Sequence, residues 1–216
     1  MKRSFSHELF HQMPLVGILR GFPAAKMTKI AAVYAKAGLT TLEITMNTQG
    51  ATDTIADLIA AVDGKLNVGA GTVCNMEDLD KALTAGAQFI VAPIMDEEVI
   101  RKCVTLNVPV FPGAYTPTEI YKAWSLGATM VKVFPAGKLG PGYLKEVLAP
   151  LNQIQLLPTG GISLDNMAEF IKAGAKGFGI GSALIPKQLV EQEAWEELHQ
   201  HFVQFVTRYK TFLNEN

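Results

Sequence analysis

The feature that most restricts this chain is its rhythm, in which short apolar runs alternate with stretches of helical periodicity about eight times. The runs cover Leu15 to Leu19, Thr40 to Thr45, Asn67 to Gly71, Phe89 to Ala92, Val108 to Phe111, Thr129 to Phe134, Ile154 to Pro158 and Gly177 to Ile180. Between the first two, Met27, Ile30, Ala31, Val33, Tyr34 and Ala37 recur at the spacing of one helix face. Such alternation predicts a parallel sheet with helices packed outside it.

Four punctuation marks support the count. Ala37 Gly38, Ala85 Gly86, Leu126 Gly127 and Ala173 Gly174 each close a helical stretch and open an apolar run, as expected of the left-handed residue that ends a helix. Each interval is about two βα units long, and four double units make eight strands. That number favours a single-domain α/β fold of the (β/α)8 TIM-barrel type over an open doubly wound sheet. The domain is expected to occupy residues 1–216, with a helical lead-in at about 1–13 and a closing helix at about 188–213. In that last stretch Leu189, Trp195, Leu198, Phe202, Phe205, Val206 and Tyr209 fall at helical spacing, a face for packing on the barrel exterior or a neighbouring subunit. Thr116 Pro117 Thr118 Glu119 reads as a capped helix start, and Asn75 and Ser163 as further caps.

Composition narrows the class of partner. With 216 residues, 49% hydrophobic and 18% charged, the chain can bury one sizeable core. Its formal net charge of −1 gives no electrostatic reason to expect nucleic acid or an anionic membrane. No apolar run approaches bilayer length, and the polar, charged first residues have no apolar segment behind them, so a cytoplasmic location is expected. Cys74 and Cys103 form neither a disulfide framework nor a C-x-x-C pair and read as small buried hydrophobes. No metal and no cofactor is expected.

Against this background Lys132 is anomalous, because it lies inside the apolar run Met130 Val131 Lys132 Val133 Phe134. A lysine so placed snorkels to solvent, pairs with a carboxylate, or is kept partly neutral as an amine nucleophile. A second lone charge, Glu43, occupies a similar strand. Period-2 alternation puts Thr41, Glu43 and Thr45 on one side, facing the barrel axis, and Leu42 and Ile44 under the helices. Glu43 is then either the structural ion-pair partner of Lys132 or a general acid/base beside an amine, which needs an open cavity above the pair. The small strand Gly69 Ala70 Gly71 is expected to leave that opening.

In a barrel, chemistry gathers at the C-terminal ends of the strands. Arg20 Gly21, Gly69 to Thr72, Pro93, Pro112 Gly113, Thr159 Gly160 Gly161 and Gly181 Ser182 all fall there. The two late glycine turns, Pro158 Thr159 Gly160 Gly161 Ile162 Ser163 and Gly179 Ile180 Gly181 Ser182, form an anion-binding pattern. Their N–H groups can approach a phosphate, and a helix beginning near Ser163 would aim its positive end at the same place. Tight turning alone is the competing explanation.

Taken together these residues resemble the class I aldolases that cleave 2-keto-3-deoxy-6-phosphosugar acids, the KDPG and KHG aldolases together with the 2-dehydro-3-deoxy-6-phosphogalactonate aldolases. The resemblance runs from Pro14 to Gly21 through Leu42 Glu43 Ile44 Thr45, Gly69 to Val73, Pro112 Gly113, Val131 to Ala136, Pro158 to Ile162 and Gly179 to Ser182. It implies that Lys132 forms a Schiff base with the 2-keto carbon and that Glu43 moves the protons, the protonated imine replacing the metal of class II aldolases. It implies substrate contacts for Arg20, Thr72, Asn47, Thr45 and Pro93, and phosphate contacts for Gly160, Gly161, Gly181 and Ser182. The implied partners are a phosphorylated keto acid and pyruvate, and the implied assembly is a homotrimer. Asn47 stands where gluconate-type enzymes commonly carry an arginine, which resembles the galactonate type, while Pro158 Thr159 Gly160 Gly161 resembles the gluconate type. Two other classes remain open on the residues alone: a phosphosugar isomerase or epimerase with Glu43 as base, and a non-catalytic phosphometabolite-binding protein.

Overall fold

Every residue of Leu15–Leu19, Thr41–Thr45 and Asn67–Gly71 is buried, as strands covered on both faces must be. The computed structural model describes residues 4–215. In chain order it contains α1 (His7–Gln12), β1 (Leu15–Leu19), α2 (Ala24–Lys36), β2 (Thr41–Thr45), α3 (Ala51–Ala61), β3 (Asn67–Gly71), α4 (Met76–Thr84) and β4 (Ile90–Val91). There follow α5 (Glu97–Thr105), β5 (Val110–Phe111), β6 (Gly113–Ala114), α6 (Pro117–Ser125), β7 (Val131–Val133), α7 (Ala136–Leu148) and β8 (Leu156–Pro158). Last come α8 (Met167–Lys172), β9 (Phe178–Ile180), α9 (Lys187–Glu191) and α10 (Trp195–Glu215).

All strand pairings are parallel, in one six-stranded sheet of order β5-β4-β3-β2-β1-β9 and one three-stranded sheet of order β6-β7-β8. The result is an α/β fold with parallel strands in two arcs. The fifth strand differs from expectation: Pro112, which has no N–H to give a ladder, divides it into β5 and β6. The Pro112 carbonyl still accepts from Lys132 N at 2.9 Å. At the other meeting of the arcs, Thr159 bridges Gly179. The remaining strands fall within the expected runs, with β4, β7 and β8 each at least two residues shorter than expected.

Alternation sorts the side chains as anticipated. Leu42 and Ile44 join a core with Ile30, Tyr34, Ile55 and Leu58 from the covering helices. On the opposite face Phe5, Phe10, Val16, Phe89, Val91, Phe111, Met130 and Leu157 form a second cluster. Its ring centroids lie 5.5 Å apart for Phe5–Phe89, 5.6 Å for Phe10–Phe111 and 5.8 Å for Phe89–Phe111. Val16, Val91 and Leu157 border the same narrow crevice as Glu43 and Lys132, so this cluster and the two charges share the inner face.

The helix starts are as expected at Thr116, which forms a capping box with Glu119, and at Asn75, whose Oδ1 accepts from Asp78 N at 2.8 Å. Two expectations are corrected. No helix starts at Ser163: α8 begins at Met167, and Ser163 N is taken by Asn166 Oδ1 at 2.9 Å. The C-terminal stretch is two helices rather than one, because Glu193 adopts a left-handed φ of 54° between them. Ala194 N then bonds Leu189 O at 2.9 Å and Glu193 N bonds Val190 O at 3.3 Å, the pattern of a Schellman turn. Of the expected lead-in, residues 1–3 lie outside the described part, and α1 accounts for His7–Gln12. The long helix α10 packs on α2, with the Tyr34 and Phe202 rings 5.3 Å apart. Among the described residues no helix is long and apolar enough to cross a membrane.

Candidate active site

Register places the two anomalous charges. In β2, Glu43 lies between Ile18 of β1 and Gly69 of β3; in β7, Lys132 lies between Gly113 and Leu157. Both are buried, at 2% and 6% exposure, which excludes the snorkelling explanation for Lys132. The Lys132 ammonium nitrogen stands 5.1 Å from the centroid of the Phe134 ring, two residues on and on the same face. One Glu43 oxygen, Oε2, is buried without a hydrogen-bond partner among the described residues.

The small strand β3 acts differently from the expectation that it simply leaves the mouth open. A β-carbon on Gly71 would collide with Glu43 Oε1, and one on Gly69 would enter the Phe89 ring. The missing side chain at 71 is therefore the seat of the carboxylate. Thr72, which follows, holds φ at 60°, a conformation that a β-branched residue adopts only when its surroundings impose it.

Burial sets the protonation of the pair. Desolvation lowers the Lys132 pKa from its ordinary 10.5; the Glu43 charge opposes that shift and the Arg20 charge adds to it. Desolvation raises the Glu43 pKa from 4.5, opposed by the charges of Lys132 and Arg20. Both groups are pushed toward their neutral forms, an amine and a carboxylic acid. An amine can attack a carbonyl, and a carboxylic acid beside it can give a proton to the oxygen that leaves.

The pair opens into a cavity of about 440 Å³ that Arg20, Thr72, Pro93, Gly160, Gly161, Gly181 and Ser182 also line. At its glycine end, Gly160 and Gly161 hold φ of 82° and 78°. Their carbonyls are occupied, by Gly137 N at 2.7 Å and Asn166 Nδ2 at 2.7 Å. No backbone acceptor takes the N–H groups of Gly160, Gly161, Gly181 or Ser182 among the described residues. The anion-binding pattern thus rests on loop backbone, without the helix expected at Ser163.

Thr45 and Asn47 do not line the cavity. Asn47 is exposed. Thr45 is buried, with Oγ1 3.0 Å from Thr48 Oγ1, and Thr48 Oγ1 accepts from Gly21 N at 3.1 Å. This chain of contacts ties the loop carrying Arg20 to the end of β2. A larger cavity, about 750 Å³, opens elsewhere among α2, α3, α10 and the end of α1. It contains no carboxylate and none of the strand-end residues, so the chemistry is assigned to the smaller one.

Comparison with known proteins agrees with this geometry. Residues 7–201 match the family model described as KDPG and KHG aldolase. The chain belongs to that family.

Among its relatives is the 2-dehydro-3-deoxy-6-phosphogalactonate aldolase of Escherichia coli (strain K12), 36% identical over 202 residues that make up 92% of this chain and 96% of that protein. A 2-dehydro-3-deoxy-phosphogluconate aldolase of Haemophilus influenzae is 32% identical, covering 88% of this chain and 90% of that one. A solved native KDPGal structure superposes with a TM-score of 0.87 at 32% identity, over 98% of this chain and 100% of that one. As a member of this aldolase family the chain is a carbon–carbon lyase of the class I type.

For this aldolase, sequence reasoning missed several residues that line the cavity, including Phe22, Phe134 and Lys187, whereas Thr159 and Ile162 line it as part of the expected glycine turn. Phe134 was within reach, since alternation from Lys132 puts it on the same face. Lys187 had no local signal, because it comes to the cavity from the start of α9.

Proposed function

We propose that this aldolase cleaves a 2-keto-3-deoxy-6-phospho sugar acid, of gluconate or galactonate type, to pyruvate and glyceraldehyde 3-phosphate. Lys132 is the imine-forming nucleophile and Glu43 the proton donor and acceptor. The observation that carries this reading is the buried pair at the floor of the cavity, with both groups driven toward neutrality. The neutral amine adds to C2, and Glu43 protonates the carbinolamine oxygen so that it departs as water. The iminium accepts the electron pair of the C3–C4 bond as the Glu43 carboxylate takes the proton of the C4 hydroxyl, which becomes the aldehyde. Glu43 returns a proton to C3 of the resulting enamine, and hydrolysis of the imine releases pyruvate.

Arg20 lines the cavity and acts electrostatically on both catalytic groups, which supports it over Asn47 as the partner of the substrate carboxylate. Thr72 and Pro93 flank the keto acid, and Gly160, Gly161, Gly181 and Ser182 receive the phosphate. Thr45 serves the site indirectly, through Thr48. We read the two arcs as one closed (β/α)8 barrel forming a single domain over residues 1–216. The Thr159–Gly179 bridge and the continuity of β5 with β6 support closure. Ile94, Leu106, Tyr115 and Tyr121 are 46–53% exposed, apolar surface that fits burial in a homotrimer. A cytoplasmic setting accompanies this reading.

Pyruvate release in a lactate-dehydrogenase-coupled assay, with both phosphorylated epimers and with 4-hydroxy-2-oxoglutarate as substrates, tests the assignment. Turnover of at least one is expected. Borohydride with pyruvate should leave an adduct on Lys132; an isomerase using Glu43 alone would show none.

A further inference from the structure

Positive charge is unevenly distributed around the active-site cavity. Among the described residues three basic side chains line it, Arg20, Lys132 and Lys187, against one carboxylate, Glu43. Arg20 and Lys132 act at the Glu43 end. The glycine end offers neutral backbone, yet a phosphate ester brings about 1.5 to 2 negative charges at neutral pH. Lys187 is the remaining cation. It opens α9, two residues beyond Ile185, which also lines the cavity.

Its present partner holds it loosely. The Lys187 ammonium lies 3.3 Å from Glu191 Oε1, and the two side chains are 76% and 60% exposed. An exposed pair of this kind exchanges readily with solvent or a stronger anion. The backbone beneath it is better anchored, because Lys26 Nζ donates to Val190 O at 3.0 Å and Glu191 O at 3.2 Å. The side chain can therefore move while α9 stays in place. Lysine suits this use, being a compact charge on a flexible stem.

We propose that Lys187 leaves Glu191 when substrate binds and supplies the positive charge that selects for the phosphate group, with Glu191 as its resting partner. The proposal rests on the aldolase reading above. It makes Lys187 a residue of substrate preference, remote from the bond that breaks.

Inorganic phosphate is the direct probe, titrated by thermal shift against the wild type and the K187M, K187R and E191Q variants. K187M should weaken phosphate binding about 3- to 10-fold and raise KM for the phosphorylated substrate by a similar factor, affecting kcat much less. K187R should restore most of the affinity, and E191Q should equal or exceed the wild type. Because Lys187 is exposed, the unfolding temperature without phosphate should be unchanged, which confirms folding. Unchanged phosphate affinity in K187M would overturn the proposal, as would equal rises in KM for the phosphorylated substrate and for unphosphorylated 4-hydroxy-2-oxoglutarate. Failure of the aldolase reading would show separately, as absence of a borohydride-trapped pyruvate adduct in the wild type. The phosphate titration needs no turnover and would still decide the role of Lys187.

Discussion

The inner face of the strands is filled in two ways that meet within a single strand. Met130, just before β7, belongs to the cluster of Phe5, Phe10, Phe89 and Phe111, while Lys132, next on the same face, belongs to the site with Glu43. The lower part is closed by aromatic rings from α1, β5 and the residues leading into α1 and β4. The upper part keeps two ionisable groups at 2% and 6% exposure and a cavity of about 440 Å³. Burial therefore does two jobs with one geometry. Below, removing apolar surface from water stabilises the fold; above, removing charges from water costs stability and makes an amine reactive.

If this division is right, substitutions in the two regions should separate cleanly. The largest effect is expected for Lys132→Ala, with kcat down by about 1,000-fold or more and no borohydride adduct with pyruvate. Urea unfolding should show little change in stability, since a desolvated amine is lost and Glu43, itself driven toward its neutral acid, can take up a proton rather than stand as an unpaired charge. A large loss of stability would mean that Lys132 holds the fold. Phe89→Ala should do the reverse, costing about 3–5 kcal/mol in urea unfolding while the folded fraction still forms the adduct.

Gly71→Ala tests the boundary between the regions. The added methyl must displace Glu43, so kcat should fall about 100-fold with KM for the phosphorylated substrate little changed. Wild-type kcat in this variant would show that the carboxylate has slack. The smallest effect concerns pH. Because the Lys132 pKa is lowered, its free-amine fraction, and with it the rate of adduct formation, should rise with pH around a midpoint below the ordinary 10.5. In Glu43→Gln the opposing carboxylate charge is gone, so the midpoint should move lower still, although maximal turnover falls. A midpoint that rises in Glu43→Gln would contradict the electrostatics described above.

The parts of this molecule that could be read from its sequence are those set by local rules. Glycine after α2, α4, α6 and α8 and two-residue alternation within strands sufficed for most strand positions along the chain and for the inward placement of Glu43. Where a distant partner decides, local rules fail. The break between α9 and α10 depends on Glu193 taking a conformation usually left to glycine, with Lys26 bonded to the end of α9 from far away in sequence. The late start of the helix expected at Ser163 is instead a local effect that the pattern did not show, since Asn166, three residues on, takes the Ser163 N–H. Thr45 and Asn47 sit in a motif beside Glu43, but Thr45 faces Thr48 and Asn47 faces solvent, so proximity in sequence did not bring them to the cavity. Lys187 reaches the same cavity from the opposite end of the chain.

The proline that divides the fifth strand has one further consequence. Pro112 has no amide hydrogen, so it joins this seam only through its carbonyl, which accepts from the N–H of Lys132 at 2.9 Å, beside the bond from Phe134 N to Ala114 O at 3.0 Å. The Lys132 N–H can exchange with deuterium only when the seam between β6 and β7 opens. The nucleophile thus has its own reporter of local breathing, readable without substrate and without altering a side chain.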